Sequence, residues 1–166
     1  MGDGVRILIT GGTFDKVYHP ILEQLVFDET RVPEILKLGR VKAKTAIEQL
    51  MLKDSLYMTD DDRQLILERC QGSLENRIVI THGTGTIVET AKVLGQNLEG
   101  KTAVLTGAMV PYSVSNSDAV FNFGGAFYAA FALPSGVYIA MNGKIFNWDN
   151  VRKNPATREF EQLTNL

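Results

Sequence analysis

The sequence predicts a single three-layer α/β domain, doubly wound around a mainly parallel sheet. Three observations predict it. Short β-rich apolar runs alternate with segments of helical spacing, and Gly-rich turns stand at the ends of those runs. A length of 166 residues suits one domain that buries about 70% of its unfolded surface.

The predicted strands are VRILIT (5–10), AIEQLML (46–52), RIVITH (77–82), TAVLTG (102–107) and GVYIAMN (136–142). Near-continuous apolar runs of this kind belong to parallel strands covered on both faces. The first helix runs from Pro33 to Leu38 and stops at Gly39. The second begins at Thr59, which caps it, carries Asp60, Asp61 and Asp62 at the positive end of its dipole, and ends at Gly72. Its apolar face is Leu65, Ile66 and Cys70. A third runs from Thr86 to Leu94 before Gly95, and a fourth from Asp118 to Ala132 before Pro134. Residues 14–30 and 108–117 read as long irregular loops, which in a compact domain tend to carry function.

With 45% hydrophobic and 22% charged residues and a formal charge of -2, the chain has the composition of an ordinary globular protein. It lacks the Lys/Arg surplus that neutralises phosphates, so no nucleic-acid partner is expected. No apolar run has membrane-spanning length, so no membrane partner is expected either. A small-molecule ligand fits better. The single cysteine, Cys70, sits in a helical segment and reads as a buried thiol. The amino terminus enters a strand almost at once, without the pattern of a secretory signal, and the expected location is cytoplasmic. Neither His19 nor His82 has a Cys, Asp or Glu at metal-ligand spacing, so no metal and no cofactor is expected.

In an open α/β sheet, ligands sit outside the carboxyl ends of the strands, which selects a few turns. In ITGGTF, Gly11 and Gly12 let the chain bend sharply, and Thr13 either presents its hydroxyl to a cleft or satisfies local amides in a tight turn. In THGTGT, Gly83, Thr84 and Gly85 open a helix whose free amides favour an anion or developing oxyanion; otherwise Thr84 or Thr86 is a plain cap. The phosphate-loop and GxGxxG patterns are absent, which argues against a nucleotide.

Taken together, ITGGTF (9–14), THGTGTIVETAKVL (81–94), GAMVPYSVSNSDAVFNF (107–123) and AMNGKIFNWDNVRK (140–153) resemble, in order, the hallmarks of the amino-terminal domain of bacterial-type L-asparaginases. The resemblance is compatible with a flavodoxin-like or Rossmann-like winding, and implies an amidohydrolase that cleaves a small carboxamide through a threonine nucleophile. It matches Thr13 to the nucleophile, Tyr18 to the tyrosine assisting it on a mobile loop, Thr84 to the second catalytic threonine and Lys153 to its partner lysine. It matches Ser55 to the serine holding the substrate carboxylate, with Gly12, Gly83 and Gly85 as neighbouring substrate-binding positions. The partner expected is a small amide or dicarboxylate. The resemblance also implies a homo-oligomer, dimer or higher.

Two departures stand out. Gly85 occupies the place of an aspartate that, in the family, contacts the substrate ammonium; Asp54 and Asp118 are the carboxylates at hand to replace it. The family also continues into a smaller carboxyl-terminal domain, and residues 1–166 read as the amino-terminal type alone, with a more open and wetter cleft. These departures keep a second reading in view, a non-catalytic domain of the same fold that binds a dicarboxylate or amide.

Overall fold

The computed structural model describes residues 2–163. In chain order the elements are β1 (Gly2–Gly11), β2 (Lys16–His19), β3 (Gln24–Phe27), α1 (Val32–Leu38), β4 (Thr45–Lys53), α2 (Asp60–Gly72) and β5 (Glu75–Thr81). There follow α3 (Ile87–Asn97), β6 (Thr102–Thr106), α4 (Ala119–Ala132), β7 (Gly136–Met141), β8 (Lys144–Asn147), β9 (Arg152–Lys153) and β10 (Phe160–Glu161).

Six strands form the main sheet in the order β4-β1-β5-β6-β7-β8. All neighbours are parallel except β8, which runs antiparallel to β7. After β1 the chain moves outward to β4, then returns to place β5 on the other side of β1. Strand order therefore reverses between β1 and β5, which puts a crevice at their carboxyl ends.

Alternation along the strands builds both cores. Leu8, Ile78, Ile80, Leu105 and Ile139 face Ile66, Leu67, Cys70 and Leu94 of α2 and α3. Ile7, Ile9, Val79 and Val104 face Val32 and Ile35 of α1 and Phe123, Ala126 and Phe127 of α4. All five predicted strands and all four predicted helices are present. Cys70 is fully buried, and burial pushes its thiol up to about 12, so it stays protonated.

Several expectations are corrected. Leu67, not Leu65, joins Ile66 and Cys70 on the buried face of α2. The N-terminus of that helix is as expected: Thr59 and Asp62 form a reciprocal capping box. Helix α3 does not stop at Gly95 but continues to Asn97. A Cβ at position 95 would enter the Trp148 indole, so this glycine serves close packing rather than termination. Trp148 is partly buried and packs on the core cluster that holds Phe146.

Residues 14–30 are not an irregular loop. They hold the antiparallel β2–β3 hairpin, with Lys16 opposite Phe27 and Tyr18 opposite Leu25. Strand β8 is also new, joined to β7 by Asn142-Gly143 with φ of 49° and 80°. Both central residues have the positive φ that a two-residue hairpin turn requires, and Asn-Gly is its strongest sequence signal.

Candidate functional site

The β1 and β5 turns meet because neither carries side-chain bulk where they touch. A Cβ on Gly12, whose φ is 80°, would collide with the backbone of Gly83. Gly12 is held from the other side by its N–H, which donates to Lys53 O at 2.9 Å. Thr13 follows as the first residue of a 3-10 turn over Thr13–Asp15. It is half-buried, and its hydroxyl has no hydrogen-bond partner among the described residues.

The β5 turn is fixed from beneath by His82. Its Nδ1 lies 2.8 Å from Gly83 O and its Nε2 2.8 Å from Thr90 Oγ1 on α3. Burial pushes the imidazole down to about 4, so at neutral pH it is an uncharged brace.

Ser55 enters from the carboxyl end of β4, 2% exposed. Its Oγ accepts from Thr86 N at 3.3 Å, while Thr86 Oγ1 donates to Ser55 O at 2.8 Å. A Cβ on Gly83 would run into the Ser55 side chain, and one on Gly85 would lie 3.0 Å from Ser55 Oγ and from Leu56 Cδ2. Ser55, Gly83, Gly85 and Thr86 thus form one continuous surface at the start of α3.

Lys153 arrives from β9, 69 positions along the chain from Thr84, and its Nζ donates to Thr84 Oγ1 at 2.7 Å. Both groups are sheltered, Thr84 at 9% exposure. Burial lowers the Lys153 pKa, and the nearby Arg158 charge adds to that shift. A lysine with a depressed pKa beside a threonine hydroxyl can accept and return a proton.

Tyr18 is not part of this cluster. It stands on β2 with 59% of its surface exposed and makes no side-chain hydrogen bond to a described residue. The hairpin that carries it is tethered at its base, where Lys16 Nζ binds Asp54 Oδ2 at 2.7 Å and Ser113 Oγ donates to Lys16 O. Sequence reasoning did not find that ion pair or the Thr86–Ser55 clasp; each joins residues more than 30 positions apart, beyond any local signal.

Both carboxylates suggested as stand-ins for an aspartate at position 85 are otherwise engaged. The hydrogen bond from Lys16 holds Asp54 below the usual carboxylate range, aided by Leu56 N. Asp118 accepts from Met109 N, Val110 N, Asn122 Nδ2 and Asn142 Nδ2. Burial opposes its charge, yet the Val110 and Met109 amides keep its pKa low. It acts as the anchor of the 108–117 loop.

Among the described residues no three His, Cys, Asp or Glu side chains group closely enough to hold a metal ion, and no helix is long and apolar enough to cross a membrane.

Comparison with known proteins gives the family and the fold. L-asparaginase 1 of Escherichia coli K12 is 29% identical over 159 residues, covering 90% of this chain and 47% of the relative. The glutaminase-asparaginase of Acinetobacter glutaminasificans is 38% identical over 169 residues, 91% of this chain and 50% of the relative. The thermostable L-asparaginase of Thermococcus kodakarensis superposes with a TM-score of 0.81 at 26% identity, over 96% of this chain and 51% of that one. The chain spans about half the length of each of these proteins. The family model described as asparaginase, N-terminal, matches residues 4–163. The chain belongs to the asparaginase family and corresponds to its amino-terminal domain.

Proposed function

We propose that the protein hydrolyses a small carboxamide to the acid and ammonia, with Thr13 as nucleophile. The observation that carries the proposal is the 2.7 Å contact between Lys153 Nζ and Thr84 Oγ1 at the switch point of the sheet. Folding alone gives no reason to bring a lysine from β9 to a buried threonine hydroxyl.

In this mechanism Thr13 Oγ1 attacks the amide carbon, and the hydroxyl proton is taken up by Lys153 through Thr84. The carbon–nitrogen bond breaks, and the leaving nitrogen regains that proton and departs as ammonia. Water then cleaves the threonyl ester, regenerating Thr13 and releasing the acid. Amides of the Gly12 and Gly83–Gly85 turns bear on the oxyanion, and Ser55 with the start of α3 holds the substrate carboxylate. Tyr18 joins when the hairpin swings over the site.

Ammonia release from asparagine, glutamine and simple carboxamides tests the reading. Lys153→Met should lower kcat by about 10³-fold, the worth of a positioned proton-transfer group. Because only the neutral amine accepts a proton, wild-type activity should rise with pH through the lowered Lys153 pKa, and the variant should lose that rise. Full activity in Lys153→Met would defeat the mechanism. No ammonia from any amide, with thermal stabilisation by a dicarboxylate, would favour the non-catalytic binding domain.

The protein is further proposed to act in the cytoplasm and to self-associate through α4. That helix carries no charged residue and exposes Phe121 at 67% and Tyr128 at 77%. Gly124 and Gly125 leave a hollow between the two rings, so an antiparallel second copy can seat its rings in the gap. Sedimentation should give a dimer or larger, and Phe121→Lys with Tyr128→Lys a monomer; a wild-type monomer at high concentration would refute this.

A further inference from the structure

We infer that the site selects an amide whose α position is uncharged, specifically an N-acylated ω-amide carboxylate rather than a free amino acid. The inference deepens the proposed function and rests on the same cleft, but it concerns selection of the ligand rather than its hydrolysis.

A free amino acid bound with its carboxylate on Ser55 would bring an ammonium group into the same cleft, and a sheltered ammonium needs an anionic partner. The carboxylates of the strand-end turns do not offer one. Asp54 is ion-paired with Lys16, and Asp118 is saturated by two backbone amides and two asparagine side chains. Asp15 is fully buried, accepting from Thr30 Oγ1 and Arg31 N away from solvent. Lys153, the charged group at Thr84, is a base and not an acid, and the one acid in the first turn of α3, Glu89, is exposed to solvent.

The surface beside Ser55 suits an apolar group instead. Gly85 is exposed and has no side chain, and the space its Cβ would take is bounded by the Leu56 side chain. Leu56 and Tyr57 follow Ser55 directly and stand 71% and 76% exposed. An acyl group on the α-nitrogen removes the ammonium charge and can lie on Leu56, covering apolar surface that now faces water.

Two measurements on the wild-type protein test this. N-acetylasparagine should be hydrolysed with a kcat/KM about 100-fold above that of asparagine, the scale of one uncompensated sheltered charge. Independently of turnover, N-acetylaspartate should raise Tm more than aspartate does at equal concentration. Succinate separates the two parts of the argument: stabilisation between those of aspartate and N-acetylaspartate is expected if both loss of charge and contact with Leu56 count. Gly85→Asp should reverse the preference toward asparagine. Preferential hydrolysis of asparagine by the wild type would overturn the inference and leave the proposed function standing. Absence of all hydrolysis, with N-acetylaspartate still the better stabiliser, would uphold the selectivity and remove the hydrolase reading. Equal stabilisation by all three ligands would overturn the inference outright.

Discussion

Alanine at position 13 is expected to abolish ammonia release, a fall of about 10⁵-fold, comparable to losing the nucleophile of a hydrolase. The fold should not notice. The Thr13 hydroxyl makes no hydrogen bond to a described residue, and the turn around it is held by backbone contacts, Asp15 N to Gly12 O and Gly12 N to Lys53 O. Removing an unpaired, half-exposed hydroxyl leaves no orphaned partner, so stability should move by about 0.5 kcal/mol or less. Thr13→Ser keeps the nucleophilic oxygen and should keep most of the rate. A coupled ammonia assay with thermal melts of all three proteins decides the matter. Wild-type turnover by Thr13→Ala would move the nucleophile elsewhere, with Thr84 the remaining hydroxyl beside Lys153. The Lys153→Met effect is smaller because it removes a group that moves protons, not the atom that forms the ester.

How much of this fold is legible in the sequence follows from the range of each signal. The five parallel strands and the Thr59 cap are local: apolar runs and a Thr-x-x-Asp box lie within a few residues and appear where expected. The β2–β3 hairpin escapes because its strands are four residues each, five of the eight residues half-buried and three exposed with none buried, so no alternating burial marks them. Strand β8 does have a legible signal, Asn142-Gly143, which a reading of apolar runs does not use. Gly95 misleads because the same residue type ends helices and admits close neighbours, and only Trp148, 53 positions away, tells which applies here. At the site, resemblance names Thr13, Ser55, Thr84 and Lys153, yet composition alone would leave Lys153 a surface lysine. Its meeting with Thr84 depends on β9 folding back over the carboxyl edge of the sheet, a long-range event. The engagement of Asp54 and Asp118 is equally out of reach, and it changes the expected ligand.

Gly12→Ala is the substitution expected to damage the fold most. Two costs combine at this position. The backbone has φ 80°, ψ -175°, a region that glycine alone enters readily, so any Cβ is strained wherever the neighbours lie. The neighbours are also immovable: the Cβ would meet the backbone of Gly83, which His82 locks to α3 through Thr90. Neither turn can yield without breaking the Gly12 N–H bond to Lys53 O or the buried His82 pair. A loss of roughly 3 kcal/mol or more is expected, at the upper end for overpacking, and denaturant melts should read it directly. Gly72→Ala provides the contrast. That glycine closes α2 with no atom within 4 Å of its notional Cβ and without a positive φ, so alanine there should be neutral or stabilising. If Gly12→Ala were as stable as Gly72→Ala, the β1 and β5 turns would not be in contact. The proposed site, which sets Thr13 near Thr84 and Lys153, would then have to be redrawn.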